Sequence, residues 1–336
     1  MRHSLSRRFK KPQEPFPPRS SKSPTTLMQP ASFFMMRPLI LRPCRSVSLR
    51  LCRAFSSSRG NSQLQLAYNL HRARDSQNAT SAPKKNPIVF MHGLFGSKQN
   101  NRSVSKALAD KLNTDIYAID LRNHGDSPHH PEHNYSVMAN DVEEFIHEND
   151  LEKPVLIGHS MGAKTAMTIA LRHPSLVGGV ISVDNAPVRA PLSKDFGKYI
   201  RAMKEIEAAK VTKQKDADAI LQLYEDSIAI RSFLLTNLIR CKETNTLKFR
   251  IPIHILGDKL DNMADFPFTP EENPAKFEGP ALFIRGTKSH YVKDPSLNVI
   301  KLLFPAFRLQ DIDAGHWVIS EKPHEFQECN RPRPAR

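Results

Sequence analysis

One short segment of the chain has the residue types and spacing of nucleophilic catalysis. Residues 158–162 form a G-x-S-x-G motif, preceded by the apolar run 155–157 and followed by a stretch of helical spacing, 163–171. Glycines on both sides permit a sharp strand-to-helix turn that exposes the central serine hydroxyl. The N–H groups at the start of the following helix face any negative charge that develops there. We therefore predict Ser160 as the nucleophile and the Met161 N–H as an oxyanion donor.

A second glycine-containing turn is in the position expected for the other N–H donor to the oxyanion. Residues 92–96, His-Gly-Leu-Phe-Gly, directly follow the apolar run 88–91. A loop after an earlier strand is where the second oxyanion N–H of such a site is expected. We predict that the backbone N–H of Leu94 is this donor, and that His92, Gly93 and Phe95 contact the substrate.

The general base is expected near the end of the chain. In this type of site the order along the chain is nucleophile, acid, histidine. Of fourteen histidines, His316 alone lies in the loop position directly after the last apolar run, 307–312, and it is the predicted base. Four other histidines cluster in a polar loop and are expected to be solvated: His124, His129, His130 and His133.

The acid of the triad has two possible locations. After the penultimate strand, where a carboxylate is usual, the chain has Ser289. Asp184 instead ends the strand 178–183, beside the elbow strand of a parallel sheet, from where it reaches the far ring nitrogen of the base. Asp184 is the predicted acid; Asp294 and Asp313 are the alternatives, and a capping or turn role is the other interpretation of Asp184.

The elements that must position these residues alternate regularly along the chain. Strand-like apolar runs lie at 64–70, 87–91, 115–120, 154–158, 178–183, 281–284 and 307–312. Segments of helical period at 103–112, 137–147 and 162–172 separate several of them. This alternation predicts an α/β fold, a mostly parallel sheet with helices on both faces.

The alternation stops in the middle of the chain. Residues 188–278 have charged amphipathic helical spacing without a strand rhythm. We expect this segment to be a helical lid inserted into a core made of residues 56–187 and 279–336.

The first sixty residues have a different composition from the rest. They carry +12 of the formal net charge of +15 of the 336-residue chain, are rich in Arg and Ser, and contain one acid, Glu14. This composition is typical of a mitochondrial transit peptide. The segment Arg53-Ala54-Phe55-Ser56-Ser57 resembles a matrix-processing site. We predict a disordered leader over residues 1–55, recognised by the import machinery, and a location in the mitochondrial matrix; a plain basic tail is the alternative.

Composition also argues against several classes of protein. Residues 61–336 carry only +3, so no nucleic-acid partner is expected. No apolar run approaches the ~18 residues of a membrane-spanning helix. The four cysteines show no paired spacing for a disulfide framework or a zinc site, so no metal is expected.

Taken together, the motifs resemble the α/β-hydrolase family, in particular a mitochondrial branch with alpha/beta-hydrolase domain-containing protein 11 and the yeast ethanol acetyltransferases. The resemblance runs from Leu64 to Pro323 and is carried by residues 92–97, 100–101, 120–127, 158–164, 183–187 and 315–317. It implies ester or thioester chemistry on short acyl groups without a cofactor. It also implies that an acid at the position of Asp184 is a feature of this branch. Family members usually close with an amphipathic helix, which Pro332 and Pro334 shorten here.

These observations predict a serine-dependent hydrolase of short-chain esters or acyl thioesters that works through an acyl-enzyme. One alternative is an acetyl-CoA:alcohol acetyltransferase that uses the same triad and a short alcohol. The other is a hydrolase-like scaffold without catalysis, suggested by the unusual C-terminus and the charged lid.

Overall fold

A computed structural model describes residues 64–73, 85–270 and 275–329. The predicted leader, its processing sequence and the proline-containing C-terminus lie outside the described residues. Their predicted roles therefore stay predictions.

The described strands form two sheets. They are β1 (Tyr68–His71), β2 (Ile88–Met91), β3 (Ile116–Ile119), β4 (Val155–His159), β5 (Gly179–Val183), β6 (Leu238–Arg240), β7 (Leu247–Phe249), β8 (Ala281–Gly286) and β9 (Phe307–Ile312). Seven of them make the main sheet in the order β1-β3-β2-β4-β5-β8-β9. Within this described sheet, β1 pairs antiparallel with β3, and all the other neighbouring pairs are parallel. This confirms the predicted mostly parallel sheet.

Helices cover both faces of this sheet. The described helices, including those of the inserted segment, are α1 (Arg102–Leu112), α2 (Tyr135–Glu148), α3 (Met161–Arg172), α4 (Lys194–Ala208), α5 (Gln214–Leu221), α6 (Ile228–Leu235), α7 (Ile253–Asp258), α8 (Asp294–Leu303), α9 (Val318–Glu321) and α10 (Pro323–Cys329). Successive side chains of a strand point to opposite faces. Val89 accordingly packs in the core cluster that contains α2, α3 and α8, whereas Phe90 packs in the cluster that contains α1 and α10. No helix in the described part of the chain is long and apolar enough to cross a membrane.

The last described element is the short helix α10. Phe326 of α10 is fully buried, and its ring stacks on that of Phe90 with a centroid distance of 6.2 Å. Lys111 of α1 forms an ion pair of 2.6 Å with Glu328. Two turns of helix are therefore enough to bury the part of the sheet face to which Phe90 belongs.

Between β5 and β8 lies the insertion, which we define as residues 188–278. It contains α4 to α7, as the helical spacing predicts, but it also contains the antiparallel hairpin β6-β7, with Leu238 opposite Phe249. The expectation of a segment without strands was wrong, because strands of three residues are too short to show alternation. Lys164 of α3 attaches the insertion to the core by donating to the carbonyl of Asp265 (2.8 Å).

Candidate active site

The turn between β4 and α3 presents Ser160 at the carboxyl edge of the sheet. Ser160 has φ of +53°, a left-handed conformation that is costly for a residue with a side chain. Its N–H donates to the Val183 carbonyl of the neighbouring strand (3.0 Å). A Cβ at Gly158 would lie 2.2 Å from the Gly162 carbonyl carbon, so only glycine fits there. The predicted elbow is therefore formed.

The three predicted triad residues come together at this edge. His316, in the loop after β9, has Nε2 at 2.9 Å from Ser160 Oγ and Nδ1 at 2.7 Å from Asp184 Oδ2. The carboxylate can only accept, so Nδ1 carries the hydrogen and Nε2 is free to accept the serine proton. Asp184 is fully buried and the side chain of His316 is 13% exposed, which shields both hydrogen bonds from water.

Backbone and side-chain donors hold Asp184 in place. Asp184 follows β5 with φ of +51°, and its Oδ1 accepts from the Gly286 N–H (3.0 Å). Its Oδ2 accepts from the hydroxyl of Ser289 (2.5 Å) as well as from His316. Ser289, which occupies the usual acid position, is thus a hydrogen-bond donor to the Asp184 carboxylate. The sequence did not predict this role.

The alternative carboxylates point elsewhere. Asp294 and Asp313 form surface ion pairs with Arg285 (2.6 Å) and Lys288 (3.0 Å). Their side chains are 85% and 68% exposed. Of the three carboxylates considered from the sequence, Asp184 is the one within hydrogen-bond distance of His316.

Aromatic rings fix the orientation of the His316 imidazole. Tyr291 stacks on it with a centroid distance of 4.1 Å. On the other side, His159 Nε2 donates to the His316 carbonyl (2.8 Å). Burial lowers the pKa of His159 to about 4, so this ring stays neutral at physiological pH and acts as a hydrogen-bond donor.

The loop after β2 lies directly against Ser160. We call residues 92–96 the Gly93 loop. The Gly96 N–H donates to the Gly93 carbonyl (2.9 Å), which closes a turn in which Phe95 has φ of +62°. A Cβ on Gly93 would lie 3.3 Å from the Ser160 Cβ. The N–H groups of Leu94 and Met161 have no hydrogen-bond partner among the described residues and are available to a ligand.

Two buried histidines support this loop. His92 donates from Nδ1 to the Gly93 carbonyl (2.8 Å) and accepts at Nε2 from the Leu121 N–H (3.1 Å). His124 accepts at Nε2 from the Phe95 N–H (3.1 Å) and donates from Nδ1 to the Arg122 carbonyl (2.9 Å). Burial lowers the pKa of both imidazoles, which favours the neutral form that these bonds require.

The expectation that the polar-loop histidines are solvated was wrong for two of the four. His124 and His133 are buried, whereas His129 is exposed and His130 half-buried. Burial lowers the pKa of His133 to about 3. The sequence around these histidines is hydrophilic, but their loop packs against the Gly93 loop, where the Phe95 N–H donates to His124.

A cavity of about 720 Å³ opens beside the elbow. Its walls come from the Gly93 loop, from α6 of the insertion and from the segment after His316, and they include His92, Gly93, His159, Phe233, Thr236, Trp317 and Gln327. Of the three predicted substrate contacts, His92 and Gly93 line this cavity. Phe95 does not: its side chain is fully buried and packs on Phe196, with ring centroids 5.8 Å apart.

A serine on a strand-to-helix elbow of a parallel sheet, hydrogen-bonded to a histidine and through it to a carboxylate, is the arrangement of serine-dependent acyl-transfer enzymes. The family model described as alpha/beta hydrolase fold matches residues 86–323. The chain therefore belongs to the alpha/beta hydrolase family.

Similar proteins span hydrolases and a transferase. The chain is 40% identical to "Probable alcohol acetyltransferase" of Saccharomyces cerevisiae, over 79% of this chain and 82% of that protein. It is 39% identical to "sn-1-specific diacylglycerol lipase ABHD11" of Xenopus tropicalis, over 71% and 75%. Among solved structures, "Marine microorganism esterase" is 32% identical, with a TM-score of 0.71 over 79% of this chain and 97% of that one.

Proposed function

We propose that this protein is a serine-dependent acyl hydrolase of carboxylic esters or acyl thioesters. One observation carries the proposal: His316 bridges Ser160 Oγ and Asp184 Oδ2 with hydrogen bonds of 2.9 and 2.7 Å. The imidazole is in the tautomer that accepts a proton from the serine and is stabilised by the carboxylate once it is charged.

The first half of the proposed reaction forms an acyl-enzyme. Ser160 Oγ attacks the acyl carbonyl carbon while its proton passes to His316 Nε2. The carbonyl oxygen becomes negative and accepts hydrogen bonds from the N–H groups of Leu94 and Met161. When the tetrahedral intermediate collapses, the bond to the leaving alcohol or thiol breaks and His316 returns the proton to it.

The second half releases the acid. Water takes the place of the leaving group, His316 removes one of its protons, and the hydroxide attacks the acyl carbon. When this intermediate collapses, the bond between the acyl carbon and Ser160 Oγ breaks, His316 returns the proton to Oγ, and the carboxylic acid is released. No step needs a metal or a redox cofactor, because every proton and electron pair is accounted for by the triad and the substrate.

The cavity of about 720 Å³ is the proposed binding site for a modest acyl group or leaving group. Its lining includes His159, the residue before Ser160, and Gly93, on which a Cβ would lie 3.3 Å from the Ser160 Cβ. Phe233 and Trp317 also line it, whereas Ser160 and His316 are not among the lining residues. Following hydrolysis of p-nitrophenyl esters from acetate to palmitate, with Ser160→Ala as control, tests the proposal. We expect the highest kcat/KM with short chains and none above background in the Ser160→Ala variant.

Acyl transfer to an alcohol is a second candidate, favoured by the similarity to an alcohol acetyltransferase. The chemistry differs only in the second half, where an alcohol oxygen attacks the acyl-enzyme instead of water. Exclusion of water from the acyl-enzyme would favour this reaction, and the insertion contributes Phe233 and Thr236 to the cavity wall.

Measuring both products separates the two functions. The protein is incubated with acetyl-CoA and increasing ethanol, and free CoA, acetate and ethyl acetate are followed together. Ethyl acetate that rises at the expense of acetate identifies a transferase, and CoA release with acetate alone identifies a thioesterase. Ser160→Ala is the control for both products.

We also propose that residues 1–55 direct the protein into the mitochondrial matrix. The Arg- and Ser-rich, acid-poor composition of this segment supports the proposal. Fusing it to a fluorescent protein, with the Arg residues replaced by Gln as control, tests it: the fusion is expected in mitochondria and the control in the cytosol.

A further inference from the structure

We infer that Asn237 is a positioning residue, which holds the Gly93 loop in its reactive geometry from the insertion. The inference rests on the proposed function, because it assigns a purpose to the oxyanion donor in that loop. Asn237 follows α6, is 2% exposed, and its Nδ2 donates to the carbonyl of Phe95 (2.8 Å). The sequence separation is 142 residues, so the bond exists only when the insertion is seated on the core.

The Phe95 carbonyl, which Asn237 binds, lies one residue after the proposed oxyanion donor. Phe95 directly follows Leu94, whose N–H is the proposed oxyanion donor. Phe95 has φ of +62° at the third position of the turn closed by Gly93 and Gly96, a position that favours glycine. A residue with a side chain keeps such a conformation only where its surroundings fix it.

Phe95 is held by contacts from the core and by contacts from the insertion. From the core, the imidazole of His124 accepts the Phe95 N–H (3.1 Å). From the insertion, Asn237 binds the Phe95 carbonyl and Phe196 packs on its ring at 5.8 Å between centroids. Asn237 is therefore the polar contact through which the insertion controls the conformation of the loop.

Asn237 is itself well anchored and is not on the cavity wall. Its own carbonyl accepts from the Arg250 N–H (2.8 Å), and its Nδ2 also lies 3.3 Å from the Leu234 carbonyl. The described residues that line the cavity include its neighbours Phe233 and Thr236 but not Asn237. Its effect on the reaction must then pass through the Gly93 loop and not through the substrate.

The chain offers a matched control. Asn262, also in the insertion, donates from Nδ2 to the carbonyl of His133 (2.8 Å). This bond has the same chemistry and length as that of Asn237, and it also ties the insertion to the core. It does not involve the Gly93 loop, so Asn262→Ala measures how the loss of one hydrogen bond between insertion and core affects activity.

The test compares Asn237→Ala, Asn237→Asp and Asn262→Ala in the full chain. Asn237→Asp keeps the shape but places a carboxylate oxygen where the N–H donor was, opposite the Phe95 carbonyl. Asn237→Ser, which buries no charge, serves if these variants do not fold. We expect both Asn237 variants to lower kcat by about 10- to 100-fold, with KM changed by less than about twofold, because a misplaced oxyanion donor acts on the transition state. Asn262→Ala is expected to keep the kcat of the wild type.

Two further readouts distinguish positioning from a structural role. The affinity of a trifluoromethyl ketone should fall by the same factor as kcat/KM, since this inhibitor forms the tetrahedral adduct. The rate of Ser160 labelling by a fluorophosphonate should fall likewise, and this assay does not depend on the natural substrate. A wild type that neither hydrolyses esters nor labels refutes the proposed function. An active wild type with equal kcat in folded Asn237 and Asn262 variants, or a rise in KM alone, overturns the inference about Asn237.

Discussion

The Ser289 hydroxyl and the Asp184 carboxylate are hydrogen-bonded at 2.5 Å, and the oxygen of Asp184 that accepts this bond is the one that faces His316. Ser289 also accepts from the Tyr291 N–H (3.3 Å), so its hydroxyl proton is directed at the carboxylate. The position where an acid is usual thus supplies a hydrogen-bond donor to a carboxylate that follows another strand.

Removal of this hydroxyl is therefore expected to slow the reaction. A hydrogen bond to a charged group contributes about 1.5–3 kcal/mol, of which the remaining Gly286 N–H compensates part. We expect Ser289→Ala to lower kcat by roughly 10-fold with KM unchanged. Steady-state kinetics with a p-nitrophenyl ester measures this.

Thr287→Val is the control for that prediction. Thr287 is two residues away, and its hydroxyl faces the exposed Asp313 (3.5 Å) instead of the buried acid. Its kcat should match the wild type. If Ser289→Ala also keeps full activity, the hydroxyl does not contribute to the orientation of Asp184.

A side chain on Gly93 should disrupt the oxyanion donor. The Cβ of alanine would lie 2.8 Å from His159 Nδ1 and 3.3 Å from the Ser160 Cβ, so the loop must move away from the serine. We expect Gly93→Ala to lower kcat by about 10²- to 10³-fold, as loss of one oxyanion donor does. Gly197→Ala is the control, because its Cβ would meet only the end of Arg201 at 3.9 Å. Equal activity of the two variants would contradict the close approach of the Gly93 loop to Ser160.

Buried histidines should make the protein sensitive to acid. The folded state holds the pKa of His133 at about 3 and that of His159 at about 4, both lowered mainly by burial, whereas an unfolded histidine has about 6.5. As the pH falls below about 6.5, the unfolded chain takes up protons that the folded chain excludes, so the free energy of unfolding decreases. At about pH 5 each of the two contributes a loss of about 2 kcal/mol.

Urea denaturation at about pH 7 and pH 5 measures this loss. His133→Leu is the informative variant, since Nε2 of His133 is buried and has no hydrogen-bond partner among the described residues. The variant should lose less stability between the two pH values than the wild type. An equal loss would show that His133 titrates normally.

Local patterns made the elbow and the order of the site predictable from the sequence. Ser160 lies between an apolar strand and a helix, and a strand, a tight turn and a helix are each determined by nearby residues. The prediction of His316 as the base rests on the chain order of such sites, which is fixed. In a parallel sheet the carboxyl ends of neighbouring strands meet at one edge, so Asp184 could be placed beside them.

The features that were missed depend on distant parts of the chain. Ser289 meets Asp184 across 105 residues, and no local signal distinguishes a hydroxyl that binds a carboxylate from one in a turn. His124 is in a hydrophilic stretch but is buried in the fold, where it accepts from the Phe95 N–H and donates to the Arg122 carbonyl. The link from Asn237 to Phe95 is likewise visible only after the insertion has folded onto the core.

The most direct test of the account is the identity of the group that becomes acylated. Wild type, Ser160→Ala and His316→Ala are treated with a fluorophosphonate and with p-nitrophenyl acetate, and the modified peptide is located by mass spectrometry. We predict one adduct, on Ser160, absent from Ser160→Ala and formed orders of magnitude more slowly in His316→Ala. A folded wild-type protein that does not label, or that labels at another residue, would contradict the assignment of Ser160 as the nucleophile.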